Sequence, residues 1–158
     1  MSHQIAHADG YRLSDAPGEF DLARAHGWIA NESYWAGGIP LETFRRAIDN
    51  SLTVGVFAPD GQMAGMARVV TDRATFGWIA DVFIDQAHRG HGLGKQIMAY
   101  LRGHPDLQGL RRLHLATRDA HGLYAGFGFT SLTMMSRVGK PSSFCTMCRG
   151  NLIPPKSA

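Results

Sequence analysis

The spacing of hydrophobic residues changes along the chain, and each change indicates a different kind of element. Between residues 14 and 50 apolar residues recur every three or four positions, as amphipathic helices require. From Leu52 they recur every two positions, which is the spacing of β-strands. At Leu93 the helical spacing returns. The pattern therefore predicts helices, then strands, then a further helix.

The first third of the chain predicts one short strand and two helices. Residues 11–14 read as the strand, and Ser14-Asp15-Ala16-Pro17 carries the capping and start signals of the first helix. That helix is expected to end at Asn31-Glu32, before the loop of residues 33–38. Pro40 suits the first turn of the second helix, whose apolar face holds Leu41, Phe44 and Ile48.

Three consecutive strands are predicted next, joined by turns that contain Gly, Pro or Asp. They are Leu52–Val56, Met63–Val70 and Phe76–Ile84. Short turns favour an antiparallel meander. The third strand is apolar on nearly both faces, which is typical of a covered central strand.

The chain then predicts a strand–helix–strand unit. A helix over residues 92–102 is followed by a strand over Arg111–Ala116, which should lie parallel to the central strand. A short helix at Asp119–Ala125 precedes two strand candidates, Leu132–Val138 and Ser143–Arg149. We therefore expect one mixed α/β domain over residues 1–158, with a core at about 11–150 and a loose tail at 151–158.

Composition excludes several classes of protein. The 158 residues carry a net charge of +3 without any block of Lys or Arg, so a nucleic-acid surface is not expected. No apolar run approaches the ~18 residues of a membrane helix. Residues 1–10 lack the basic and apolar regions of a signal peptide, and we expect a cytoplasmic protein.

The two cysteines, Cys145 and Cys148, form one CxxC motif. It has no second CxxC and no HxxxH partner nearby, which a zinc site would need. We expect a reduced pair in a terminal strand and no metal site.

A glycine-rich turn with cationic residues joins the central strand to the helix that follows it. It comprises Arg89, Gly90, His91, Gly92, Leu93, Gly94 and Lys95. Glycines let the backbone direct several N–H groups at one anion, and the positive end of the helix adds to the attraction. The turn is predicted to bind phosphate.

Two common phosphate motifs do not fit this turn. A P-loop requires Gly where Arg89 stands and Ser or Thr where Gln96 follows Lys95. The dinucleotide pattern GxGxxG fails because the glycines lie at 90, 92 and 94. The alternative to a phosphate site is a glycine-rich turn that joins the strand to the helix and binds nothing.

The pattern Arg89-x-x-Gly92-x-Gly94 resembles the acetyl-CoA pyrophosphate motif, R/Q-x-x-G-x-G/A, of the GNAT superfamily of N-acetyltransferases. About thirty residues later, Leu123-Tyr124-Ala125-Gly126-Phe127 resembles the second signature of that superfamily. With the order of elements, the resemblance extends from Tyr11 to Thr130. It implies the GNAT fold.

The resemblance also implies how acetyl-CoA is held. The pantetheine arm would pair with the backbone of Val82, Phe83 and Ile84, and the pyrophosphate would bind residues 89–95. The superfamily often has Asn where Thr117 stands, so that cofactor contact would be weaker or made by a hydroxyl. Proline after the central strand is replaced by Gln86.

Two residues are candidates for proton transfer. Tyr124 holds the position of the acid that protonates the departing thiolate, and a phenol with a pKa of about 10 suits a thiol near 8.5. Asp81 is the lone charge of the central strand and is a candidate base or amine-binding group. Two alternatives stay open: Asp81 could form a structural ion pair, and a water chain could act as the base.

The acceptor site is expected under the loop of residues 33–38, where Tyr34 and Trp35 would hold an amine together with Asp81. Both aromatic residues could instead close the core. The sequence thus predicts an acetyl-CoA-dependent N-acetyltransferase that acts on a small molecule or peptide in a ternary complex, as a monomer or homodimer. The alternative is a catalytically silent acyl-CoA-binding sensor.

Overall fold

Six strands and four α-helices make up the part of the chain that the structure describes, which is residues 2–7 and 9–135 of a computed structural model. The strands are β1 Gln4–Ala6, β2 Arg12–Ser14, β3 Leu52–Phe57, β4 Met63–Thr71, β5 Phe76–Ile84 and β6 Arg112–Leu115. The helices are α1 Leu22–Asn31, α2 Leu41–Asp49, α3 Leu93–Gly103 and α4 His121–Ala125. Short 3₁₀ turns lie at Gln86–His88 and Pro105–Leu107.

The strands form one sheet in the order β1-β2-β3-β4-β5-β6. Neighbours from β1 to β5 pair antiparallel, and β5 pairs with β6 in parallel. The α3 crossover connects the parallel pair, since a parallel neighbour cannot be reached by a tight turn. The predicted meander, parallel pair and mixed α/β class are confirmed.

Helices cover both faces of the sheet. On one face α3 buries Leu93, Ile97 and Leu101 against β3, β4 and β5, which confirms the face predicted from their spacing. On the other face α1 buries Trp28 and Ile29, and α2 buries Phe44. Each helix is stabilised mainly by this apolar contact with the sheet.

The predicted start of the first helix is wrong. Asp21 is the N-cap of α1, and its carboxylate accepts the N–H of Arg24 at 2.9 Å. The start signals at residues 14–17 have other roles, because Ser14 Oγ accepts the N–H of Ala16 and Asp15 accepts that of His3. The capping residues at 14–17 therefore form local and cross-strand hydrogen bonds and do not begin a helix.

Two further differences concern the ends of the chain. The short strand β1 was not predicted, because three residues are too few to display a period. The strand expected to follow Phe129 does not begin by residue 135, where the description ends. The rest of that candidate, the strand at Ser143–Arg149 and the cysteine pair lie outside the described residues.

Candidate functional site

The parallel strands β5 and β6 separate before β5 ends. Their pairing runs from Phe76–Arg112 to Ile79–Leu115, while β5 continues to Ile84. Among the described residues no strand pairs with this last part of β5 on its β6 side. Its peptide groups are therefore available to a ligand on that side.

A cleft of about 500 Å³ opens at this separation, within the range of small-molecule sites. Its walls come from the end of β5, the glycine-rich turn, the start of α3, and α4. The lining residues are Val82, Ile84, His88, Arg89, Gly90, Gly92, Leu93, Gly94, Lys95, Ala120, Leu123 and Tyr124. Nine of the predicted site residues are thus brought together in one cleft.

The remaining predicted cofactor residues lie beside the cleft and are not part of its lining. Phe83 directs its ring to the opposite core, where it stacks on Trp28 at 5.6 Å. Thr117 Oγ1 accepts the N–H of Ala120 at 3.0 Å, so its hydroxyl supports the approach to α4. His91 is exposed and faces Asp9 at 3.7 Å.

The turn before α3 has the backbone conformation of an anion site. Gly90 and Gly92 adopt positive φ values of 86° and 72°, which side chains with a Cβ rarely adopt. Gly92 is also the N-cap of α3, whose first N–H groups have no acceptor inside the helix. Alternating glycine conformations of this kind direct successive N–H groups into one concavity.

Arg89 and His88 place a guanidinium and an imidazole at the same turn. Arg89 Nε donates to the carbonyl of Ile84 at 3.0 Å, which fixes the turn to the end of β5. His88 Nδ1 lies 3.0 Å from the hydroxyl of Tyr11, a residue that precedes β2. One ring nitrogen of His88 is therefore hydrogen-bonded to Tyr11, and the other nitrogen is available to a ligand in the cleft.

Tyr124 lies on the α4 side of the cleft and is 9% exposed. Burial raises the pKa of its phenol, and the nearby Tyr34 and Asp119 raise it further. Tyr124 therefore keeps its proton throughout the neutral pH range. A protonated phenol at this place can donate a hydrogen bond or a proton into the cleft.

Asp81 lies immediately before the cleft-lining part of β5, at a β-bulge. The register with β4 shifts between Met66 and Arg68, and Asp81 has a positive φ of 51°. Arg68 Nε donates to Asp81 Oδ2 at 2.7 Å, and Trp35 Nε1 donates to Oδ1 at 2.9 Å.

The predicted acceptor loop is held in place by buried and bridging contacts. Ser33 Oγ donates to the carbonyl of Ile29 at 2.6 Å and is buried. The ring of Tyr34 meets that of Trp35 edge-on at 4.9 Å, and the guanidinium of Arg118 lies 3.9 Å from the centre of the Tyr34 ring. Tyr34, Trp35 and Asp81 are thus in one continuous set of contacts.

Sequence reasoning missed three residues of this region, which are Tyr11, Arg68 and Arg118. A period-2 strand pattern does not reveal that Arg68 faces Asp81 across a bulge. Tyr11 lies 77 positions from His88, so no local pattern connects them. Arg118 directly follows Thr117, and this closeness to the motif was the only available signal.

The sequence profile of the Acetyltransferase (GNAT) family matches residues 20–129, which include both motifs and the whole cleft. The chain belongs to this family. The predicted fold is thereby confirmed as the GNAT fold.

Individual relatives agree with the family assignment. The crystal structure of a candidate GNAT acetyltransferase from Xanthomonas campestris pv. campestris is 44% identical, with a TM-score of 0.78 over 82% of this chain and 93% of that one. A candidate acetyltransferase of Gibberella zeae is 29% identical over 58% of this chain and 62% of its own. An uncharacterised N-acetyltransferase of Prochlorococcus marinus is 35% identical over 58% of this chain and 53% of its own.

The chain therefore aligns with less than two thirds of the length of these last two relatives. Within residues 2–7 and 9–135, no helix has the length and apolar character needed to cross a bilayer. In the same residues, no three His, Cys, Asp or Glu side chains converge as metal ligands do.

Proposed function

We propose that this GNAT protein is an acetyl-CoA-dependent N-acetyltransferase, which transfers an acetyl group directly to a primary amine in a ternary complex. The observation that carries the proposal is the cleft between β5, the glycine turn and Tyr124. It joins a phosphate-binding turn to a free strand edge and a buried phenol. The turn suits the pyrophosphate of acetyl-CoA, the strand edge suits its pantetheine amides, and the phenol suits its thioester.

The donor is held from its phosphate end. The pyrophosphate would accept from the N–H groups of residues 89–94 and from Arg89, Lys95 and His88. Hydrogen bonds to charged groups of this kind contribute about 1.5–3 kcal/mol each. The pantetheine arm would pair with the backbone of Val82 and Ile84, which brings the thioester toward Tyr124.

Acetyl transfer then needs one bond to form and one to break. The neutral amine attacks the carbonyl carbon, and a backbone N–H at the end of β5 stabilises the oxyanion. When the intermediate collapses, the carbon–sulfur bond breaks and the thiolate takes the proton of Tyr124. The new amide loses its extra proton to water or to a base at the acceptor side, and the phenolate of Tyr124 takes a proton back from water.

Asp81 acts in this proposal as the group that positions the acceptor loop. Both of its carboxylate oxygens have partners, Arg68 and Trp35, so service as the base would require the release of one of them. Through Trp35 it holds the aromatic loop against the thioester end of the cleft.

The donor site is tested by thermal unfolding with acetyl-CoA, CoA, ATP and NAD in parallel. A ligand at a hundred times its Kd adds about 2.7 kcal/mol to the free energy of unfolding. We expect both CoA species to raise Tm, and ATP and NAD to leave it unchanged. A folded protein that no CoA species stabilises would refute the donor site.

Turnover separates the enzyme from a silent acyl-CoA sensor. Tyr124→Phe removes the proton donor and keeps the ring, so we expect acetyl-CoA affinity to stay and kcat to fall by about 100-fold. Acetylation is measured as release of free CoA in the presence of an amine panel. CoA binding without turnover on any amine, and without an effect of Tyr124→Phe, would support the sensor.

A further inference from the structure

The charges of this chain are distributed unevenly along its length. All 13 Asp and Glu residues lie between residues 9 and 119, whereas residues 120–158 carry four Lys or Arg and no acid. Every carboxylate side chain of the protein therefore belongs to the described residues. The partners of each arginine among these carboxylates can be read from the structure.

Arg118 differs from Arg68, the other arginine of the acceptor region. Arg68 forms an ion pair with Asp81 at 2.7 Å and has 16% of its side chain exposed. Arg118 is exposed, and no Asp or Glu side chain of the chain lies within 4.0 Å of its guanidinium. Its charge is balanced by no acidic side chain.

The contact with Tyr34 orients the guanidinium of Arg118, and no described residue accepts a hydrogen bond from it. Its guanidinium lies 3.9 Å from the centre of the Tyr34 ring. A guanidinium that stacks on a ring keeps its N–H groups in its own plane, where they can bind an anion at two points. Such a stack lowers the entropy lost when a ligand binds, because the side chain is already oriented.

The stack also lies near the Asp81 end of the cleft, since Tyr34 packs edge-on against Trp35 at 4.9 Å. Tyr34 is close enough to Tyr124 to contribute to the raised pKa of that phenol. Its neighbour Trp35 donates to Asp81, which directly precedes cleft-lining Val82. From Asp81 to Ile84 the strand spans about 10 Å, which separates the Asp81 end of the cleft from the glycine-rich turn.

We propose that the acceptor of this enzyme is an amine that carries an anionic group, carboxylate or phosphate, and that Arg118 binds this group from its place on Tyr34. The proposal rests on the acetyltransferase function proposed above and specifies its substrate class. Arg118 would hold the anion while the amine of the same molecule reaches the thioester. It is a specificity residue, and no step of the proton transfer passes through it.

Matched pairs of amines test the substrate class. Each pair has the same amine with and without its anion: an amino acid and its amide, phosphoethanolamine and ethanolamine, and glucosamine 6-phosphate and glucosamine. We expect at least one anionic member to be acetylated 10-fold or more faster than its neutral partner at low concentration. The carboxylate and phosphate pairs show which anion is preferred.

Variants of Arg118 test whether it binds the anionic group of the acceptor. Arg118→Ala should lower kcat/KM for the preferred anionic amine by about 10- to 100-fold, mainly through KM, since it removes a charge-assisted contact. It should leave the neutral partner and the KM for acetyl-CoA unchanged. Arg118→Lys should restore part of the preference, and Arg111→Ala is the control, because Arg111 is exposed at the opposite end of β6.

The outcomes distinguish failure of the anion site from failure of the acetyltransferase function. If neutral or cationic amines are the better acceptors, or if Arg118→Ala changes the KM for acetyl-CoA equally with every amine, the anion site is refuted and the acetyltransferase stands. If no amine is acetylated by a protein that binds acetyl-CoA, the transferase function fails, and the substrate class fails with it.

Discussion

Asp81 combines a positive φ, which is unusual for a residue other than glycine, with a carboxylate that binds two partners. Asp is one of the few residues with a side chain that tolerates a positive φ at modest cost. Its carboxylate connects Arg68 on β4 to Trp35 on the loop after α1. One residue thus fixes the bulge, the ion pair and the acceptor loop.

Asp81→Asn tests the positioning role, because Asn tolerates the same backbone conformation and removes only the charge. Leaving the partly buried Arg68 without its carboxylate partner should lower the free energy of unfolding by about 3 kcal/mol. We expect a lower kcat/KM with a pH–rate profile of unchanged shape, measured from pH 6 to 9. Loss of the limb that reports the essential base would instead make Asp81 that base.

Trp35→Phe is the matched variant for the same contact. It keeps an aromatic ring and removes the N–H that Asp81 accepts. If Asp81 acts only by positioning the loop, we expect the KM for the amine to rise while kcat, measured as release of free CoA, stays unchanged.

At the scale of elements, the junction of β5, the turn and α3 provides most of the cleft. Its geometry depends on two positive φ values within three residues. The helix begins directly at the second of them, and its first residues line the same cleft as the end of β5. A change of backbone at this point alters both the helix start and the anion site.

Gly92→Ala and Gly94→Ala form a matched pair at this junction. A Cβ on Gly92 meets no neighbour within 4 Å, but its φ of 72° costs about 1–2 kcal/mol for alanine. Gly94 has no such φ, and its Cβ would lie 3.5 Å from Leu123, an ordinary contact. We expect Gly92→Ala alone to lower Tm and CoA affinity, measured by thermal unfolding and calorimetry; equal losses would contradict the backbone argument.

At the scale of the whole molecule, a buried polar network ties the N-terminal strands to the end of α3. Asp15 Oδ2 lies 3.0 Å from Nε2 of His104, which is 3% exposed. The hydroxyl of Tyr100 donates to the carbonyl of His3 at 2.6 Å. Burial alone would raise the pKa of Asp15, but its hydrogen bonds to His104 and to the backbone of His3 outweigh burial and lower it.

A lowered pKa in the folded state means that Asp15 stabilises the fold above its unfolded pKa of about 3.8, and that this contribution is lost as pH falls below it. Asp15→Asn should therefore cost about 1–3 kcal/mol at pH 7 and much less at pH 3, measured by urea unfolding. Asp49→Asn is the control, since Asp49 is exposed. An equal cost at both pH values would exclude the linkage.

Features that depend on neighbours in the chain were predictable. The periods at β3, β4 and β5 and the helical face at Leu93, Ile97 and Leu101 arise from burial of one side of an element, which local spacing records. The glycine-rich turn before α3 was predictable for the same reason, because its glycines and cations are contiguous. The helix start at residues 14–17 failed since capping residues also serve turns.

The sequence by itself determined the meander, the parallel pair, the family motifs and the residues of the phosphate turn, because each is encoded within a few consecutive positions. Only the tertiary structure decided what Asp81 binds, that Tyr11 orients His88, and that Arg118 stacks on Tyr34. These contacts join residues 13 to 84 positions apart, across a bulge and between loops. The packing of the whole sheet and its helices sets such distances, and no local pattern carries them.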